Sequence, residues 1–152
     1  MTDGGPTDRC HPFRFSTQTR VDISDTDMMG IVYYGRFMPF FDAAVIAYQR
    51  HLGIPLMGVP GHMFVVRKVS VEYRESARFD DVLEVFVRVA RIGHTSHTMR
   101  YRVERLTGGE SVHMADGEVV LVGLDEARMP TPMPTALRAA ILLFEGDRVE
   151  VA

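Results

Sequence analysis

Residues 36–51 read RFMPFFDAAVIAYQRH, and within them Phe37, Phe40, Phe41, Ala44, Val45 and Tyr48 recur at three- and four-residue steps. That period makes one stripe of an α-helix apolar, so the spacing predicts a single long, deeply buried helix. Gly35 can serve as its N-cap. Pro39 is tolerated because the N–H groups of a first turn are unpaired anyway, and Gly53 followed by Pro55 ends the helix. Upstream, residues 13–23 alternate like a half-buried strand until Ser24, Asp25, Thr26 and Asp27 stop it with turn chemistry. Downstream, the loop GIPLMGVPG (53–61) leads into four alternating segments, 63–79, 82–92, 95–107 and 110–124. Asp80, Asp81, Gly93, Gly108 and Gly109 stand at their junctions. The order is strand, helix, four strands. So apolar a helix is buried beside so much sheet only if the sheet curls around it, which predicts an α+β fold with a five-stranded antiparallel sheet wrapped about one central helix.

The fold-bearing region is thus residues 13–124. Residues 1–12, with Gly4, Gly5, Pro6 and Pro12 among polar neighbours, read as a disordered N-terminal tail. Residues 125–152 form a C-terminal extension that begins with Pro130, Pro132 and Pro134 and then carries an apolar run, 136–144, suited to a short helix. One cysteine, Cys10, allows no internal disulfide and fits a reducing, cytoplasmic setting. The first dozen residues lack the basic start and apolar run of a signal peptide, and no stretch is apolar enough to span a membrane. Seventeen basic and twenty acidic residues give a formal charge of −3, which argues against a nucleic-acid partner. Arginine supplies nearly all the positive charge, Lys68 being the only lysine, and arginine suits discrete phosphate or carboxylate groups; a codon preference explains the bias equally well.

The chemistry-bearing segment is Asp25-Thr26-Asp27-Met28-Met29-Gly30-Ile31-Val32-Tyr33-Tyr34-Gly35. An Asp a few residues before a buried helix can face the same pocket as the helix's free N–H groups, which carry about half a positive charge. N–H groups that polarise a carbonyl, beside a carboxylate that attacks or orients water, are the minimum equipment for opening a thioester. From spacing alone, Asp25 and Asp27 fit simple turn formers as well.

This segment, continued by Phe40-Phe41-Asp42-Ala43-Ala44, resembles the signature of the hydroxybenzoyl-CoA thioesterases and Tol–Pal-associated acyl-CoA thioesterases, which have the hot-dog fold. Weaker likeness runs through Val69-Ser70-Val71-Glu72-Tyr73, residues 79–85 and the hairpin 91–96, covering about 14–124. The resemblance implies hydrolysis of an acyl-CoA without metal or organic cofactor. It places the catalytic carboxylate on Asp27 and the carbonyl-polarising N–H on Tyr34 or Gly35, with the pocket between subunits of a homodimer or homotetramer. Small residues or proline are common in the family at Met28 and Met29, His at Tyr34, and Asn-Tyr at Arg36-Phe37. Loss of that Asn removes a side chain able to orient the loop.

Met28 and Met29 suit an irregular apolar acyl group. Arg91 and His94, at a strand turn resembling the family's CoA-binding edge, are candidates for nucleotide phosphates, or a plain solvated turn. Asp42 reads as a second polar group at the site or as structural. His94 and His97 would point to opposite strand faces, so no metal site is expected. The sequence lacks the serine-elbow and phosphate-loop glycine motifs, and Cys10 is too near a terminus to be a nucleophile. Release of chains from an acyl-carrier protein and non-hydrolytic acyl-CoA binding remain as alternatives.

Overall fold

The computed structural model describes residues 4–152. Its elements are β1 (Gly5–Pro6), β2 (Phe15–Arg20), α1 (Phe37–His51), β3 (Met63–Tyr73), β4 (Val82–Ile92), β5 (Ser96–Thr107), β6 (Glu110–Leu124), α2 (Thr135–Glu145) and β7 (Glu150–Val151). The sheet runs β1-β2-β4-β5-β6-β3, antiparallel throughout, and β7 adds a short parallel pairing to the end of β4. The five expected strands are all present; two two-residue strands raise the total to seven.

The sheet curls around α1, whose Phe37, Phe40, Phe41, Ala44, Ala47 and Tyr48 are buried. Phe41 stacks on Tyr101 of β5 at 4.2 Å. The ring fits because β6 carries glycine opposite it: a Cβ on Gly117 would lie 2.6 Å from Phe41. α1 begins at Phe37 rather than at a Gly35 cap, and Tyr34–Arg36 form a 3-10 turn that feeds it. Its far end is a Schellman closure: Gly53, at φ +72°, donates to Arg50 O and Ile54 donates to Gln49 O.

Two expectations change. β3 ends at Tyr73, six residues early, because the chain turns back toward the acidic loop: Val32 N donates to Ala77 O, and Arg78 N donates to the Asp81 carboxylate. Residues 4–12 are built into the sheet rather than disordered; residues 1–3 of that expectation lie outside the described residues. Gly5 and Pro6 pair with β2, and Arg9 reaches between Glu84 and Glu104 at 3.0 and 2.9 Å. Those carboxylates stand directly opposite on β4 and β5, where like charges repel, so Arg9 neutralises a built-in conflict. Phe13 and Arg9 also cover Phe86. As a result β4 is buried on both faces instead of alternating.

The C-terminal extension carries the expected short helix, α2. α2 brings Glu145 to the edge of β4 beyond the reach of β2, where its Oε2 accepts from Val89 N (3.0 Å) and from Tyr48 Oη (2.7 Å). The extension thus closes the edge of a central strand. Among the described residues no helix is long and apolar enough to cross a membrane.

Candidate active site

Between β2 and α1 the backbone is fixed step by step. Asp22 caps a 3-10 turn at Ile23–Asp25: its carboxylate takes Ser24 N, and Asp25 Oδ2 takes Asp22 N at 2.8 Å. Thr26 then bridges to Val32. The Asp27–Gly30 turn is closed by Gly30 N to Asp27 O, and Gly30 adopts the positive φ (+77°) that such a turn favours. Asp27 Oδ1 accepts Met29 N at 2.8 Å. One oxygen of Asp27 thus serves the turn, as the turn-former reading expects. Oδ2 receives no hydrogen bond from the described residues, and Asp27 lines a pocket of about 390 Å³ with Ile31, Val32, Tyr34, Phe37, Tyr73 and Ala77.

The opposite wall of this pocket is the start of α1. The N–H groups of Tyr34 and Gly35 open the 3-10 turn, so no intrahelical acceptor exists for them, and no side chain caps the turn. Tyr33 N is spent on Asp25 O (2.9 Å), and Tyr73 Oη donates to Tyr34 O at 2.8 Å. Burial, with Tyr34 beside it, pushes the Tyr73 phenol up, which keeps it a protonated donor.

Asp25 and Arg36 clamp the two walls. Asp25 is only 4 % exposed, and its Oδ1 accepts from Arg36 Nε (2.9 Å) and contacts Nη2 (2.7 Å). A buried carboxylate needs such partners, and a two-pronged guanidinium contact fixes orientation as well as distance. Arg36 thus ties the acidic loop to the helix start. In the sequence only the missing Asn is visible at this position; Asp25 and Arg36, eleven residues apart, give no local signal of their contact.

The pocket brings together Asp27 and Tyr34, with Gly35 in the adjoining turn. It does not include Met28 and Met29, which stand fully exposed at the tip of the Asp27–Gly30 turn. Arg91, 3.6 Å from Glu150, and His94 in the β4–β5 turn lie at the far end of β4. The nine steps from Val82 to Arg91 span roughly 30 Å at strand rise, so within one chain neither residue shares the Asp27 pocket. Arg74, which lines it, and Arg78, bridged to Ile31, are the arginines close by. Among the described residues no group of three His, Cys, Asp or Glu side chains is placed to hold a metal ion.

This geometry can place a carbonyl oxygen against free N–H groups and its carbon before a carboxylate oxygen. Residues 29–112 match the thioesterase superfamily. The acyl-CoA thioester hydrolase YbgC of Escherichia coli is 30 % identical over 128 residues, covering 82 % of this chain and 93 % of the relative. A thioesterase from Thermus thermophilus, solved in complex with coenzyme A and zinc, superposes with a TM-score of 0.77 at 29 % identity, over 90 % of this chain and 98 % of that one. A 4-hydroxybenzoyl-CoA thioesterase variant holding 4-hydroxybenzoyl-CoA shares the fold, with a TM-score of 0.75 at 21 % identity over 83 % and 96 % of the two chains. By sequence match, fold and site geometry together, the chain belongs to the thioesterase superfamily.

Proposed function

We propose that Asp27 is the carboxylate with which this thioester hydrolase converts an acyl-CoA to the free acid and CoA. The observation that carries the reading is that Asp27, with one oxygen free of hydrogen bonds from the described residues, lines the same pocket as Tyr34 and Phe37, beside the uncapped turn that opens with the N–H groups of Tyr34 and Gly35. Those N–H groups take the negative charge that grows on the thioester oxygen, while the carboxylate attacks the carbon or draws a proton from an attacking water. Either way a C–O bond forms, the C–S bond breaks, and sulfur leaves to be protonated. In the direct route water then opens the acyl anhydride. The Asp25–Arg36 clamp holds both walls in register.

CoA phosphates meet Arg74 and Arg78 beside the pocket; Arg91 and His94 can join them only from a second copy. The protein acts as a homo-oligomer in a reducing, cytoplasmic setting, joined through β3, the long strand at the sheet's open end. Thiol release by an Asp27→Asn variant tests the site. Near-wild-type turnover in a folded variant would exclude Asp27 from the chemistry.

A further inference from the structure

α1 and the inner face of the sheet do not meet along their whole length. They leave an apolar trough of about 360 Å³ that begins at Met38 and Val69, near the helix start, and ends under Leu137 and Ile141 of α2. A second hollow of about 360 Å³ continues past Phe64 and Ile54 into the 52–62 loop, sharing four wall residues with the first. Alongside, α1 from Met38 to His51 extends roughly 20 Å at 1.5 Å per residue. Such a shape fits an extended chain better than a compact ring.

His97 is a buried polar group of this trough, whose wall also includes Asp42, Tyr48, Gln49 and Tyr101. It is 8 % exposed, lies edge-to-face on Phe64 at 4.7 Å, and its Nδ1 is buried with no hydrogen-bond partner. Burial, with His62 adding to it, pushes the imidazole down to about 4, so the ring is neutral and offers one N–H and one lone pair. A buried ring nitrogen without a partner is costly, and a few such polar groups in an apolar pocket decide what binds. Tyr101, stacked on Phe41, and His97 are four residues apart on β5, which puts His97 roughly 13 Å further along the trough.

We propose that the trough receives the acyl group and that His97 selects chains bearing a hydroxyl or oxo oxygen far from the thioester, over saturated chains and compact aromatic acyl groups. The inference rests on the thioesterase reading above and narrows it. In one chain the edge-to-face pair Phe37–Tyr73 (5.2 Å) stands between the Asp27 pocket and the trough. The acyl chain therefore passes a rotated Tyr73 ring, or enters from the Asp27 pocket of a second copy; the trough and His97 serve both routes.

The test uses wild type, His97→Leu, His97→Gln and Val45→Trp, assayed by thiol release on a saturated long-chain acyl-CoA, its mid-chain hydroxy analogue and benzoyl-CoA. Wild type should favour the hydroxy chain by about tenfold or more in kcat/KM, mostly through KM. H97L should erase that preference, lowering kcat/KM on the hydroxy chain to the level of the saturated chain, and H97Q should restore part of it. V45W, which fills the trough, should depress both long chains and spare benzoyl-CoA. Parallel loss on all three substrates in H97L would overturn the proposal. So would a V45W protein that cleaves long chains normally but loses its oligomeric mass in light scattering, because a second copy would then occupy the trough. Failure of wild type to cleave any of the three would count against the hydrolase reading instead. Calorimetric titration with the free saturated and hydroxy acids, which needs no turnover, still decides the role of His97.

Discussion

Asp27 holds its turn with one carboxylate oxygen, and this sets what its replacement should do. Asparagine keeps the oxygen that accepts Met29 N, so the Asp27–Gly30 turn should survive in Asp27→Asn. Loss of the charge should lower kcat about a hundredfold or more, with circular dichroism unchanged. Asp25 answers differently. Its spacing fits a simple turn former, yet it is buried and bonded to both Asp22 N and Arg36. Asp25→Ala strands the guanidinium and the N–H together, and should lower stability by about 2 kcal/mol in urea denaturation. Because the clamp positions rather than reacts, the variant should lose kcat more than KM, and Arg36→Lys, a single point charge, should reproduce only part of the wild-type rate.

Among the elements, α2 packs Ile141, Leu137 and Phe144 on the core and adds one buried carboxylate to that contact. Glu145 is fully buried, accepts from Tyr48 and Val89, and leaves Oε1 without a partner. Burial raises its carboxyl above the ordinary range, although both hydrogen bonds and the nearby Arg88 pull it down. An acid raised by folding contributes stability that is complete below its unfolded pKa and is lost as pH rises through the folded one. Glutamine never ionises and can still accept both hydrogen bonds. Glu145→Gln should therefore gain stability relative to wild type as pH rises from about 4 toward neutrality, in thermal melts at a series of pH values. A constant difference across that range would mean that Glu145 does not titrate in the fold. Tyr48, whose phenol is pushed far up by burial and by Glu145, stays a donor throughout.

For the whole molecule, the sheet order leaves β3 with one long side unpaired, and its Val66 and Val69 are 58 % and 45 % exposed. An eleven-residue strand with an unpaired side is a strong invitation to pair with another strand. A second copy meeting β3 to β3 across a two-fold axis satisfies both edges at once. Light scattering at micromolar concentration should give a dimer or a multiple of it, and a monomer there would exclude this assembly. CoA recognition also belongs to this scale, because formal net charge is −3 and attraction for phosphates must be local. Raised salt should increase KM for an acyl-CoA much more than for an uncharged short-chain thioester. Equal responses would show that the arginines near the pocket do not meet the nucleotide.

The helical period of residues 36–51 and the alternation of the strands were enough to determine a curled sheet around one helix, because burial of an apolar stripe is dictated locally by spacing. The same holds for the Asp27 turn and the unpaired N–H groups at the helix start, both consequences of a few adjacent residues. The Asp25–Arg36 clamp, Arg9 between Glu84 and Glu104, and Glu145 on the edge of β4 were decided only by the tertiary structure. Each joins residues far apart in the chain, and a charge's partner is set by which strands become neighbours. Met28 and Met29 show the converse. Their apolar character suggested a buried acyl contact, but a tight turn closed by Gly30 points them outward, and backbone geometry overrides side-chain preference there.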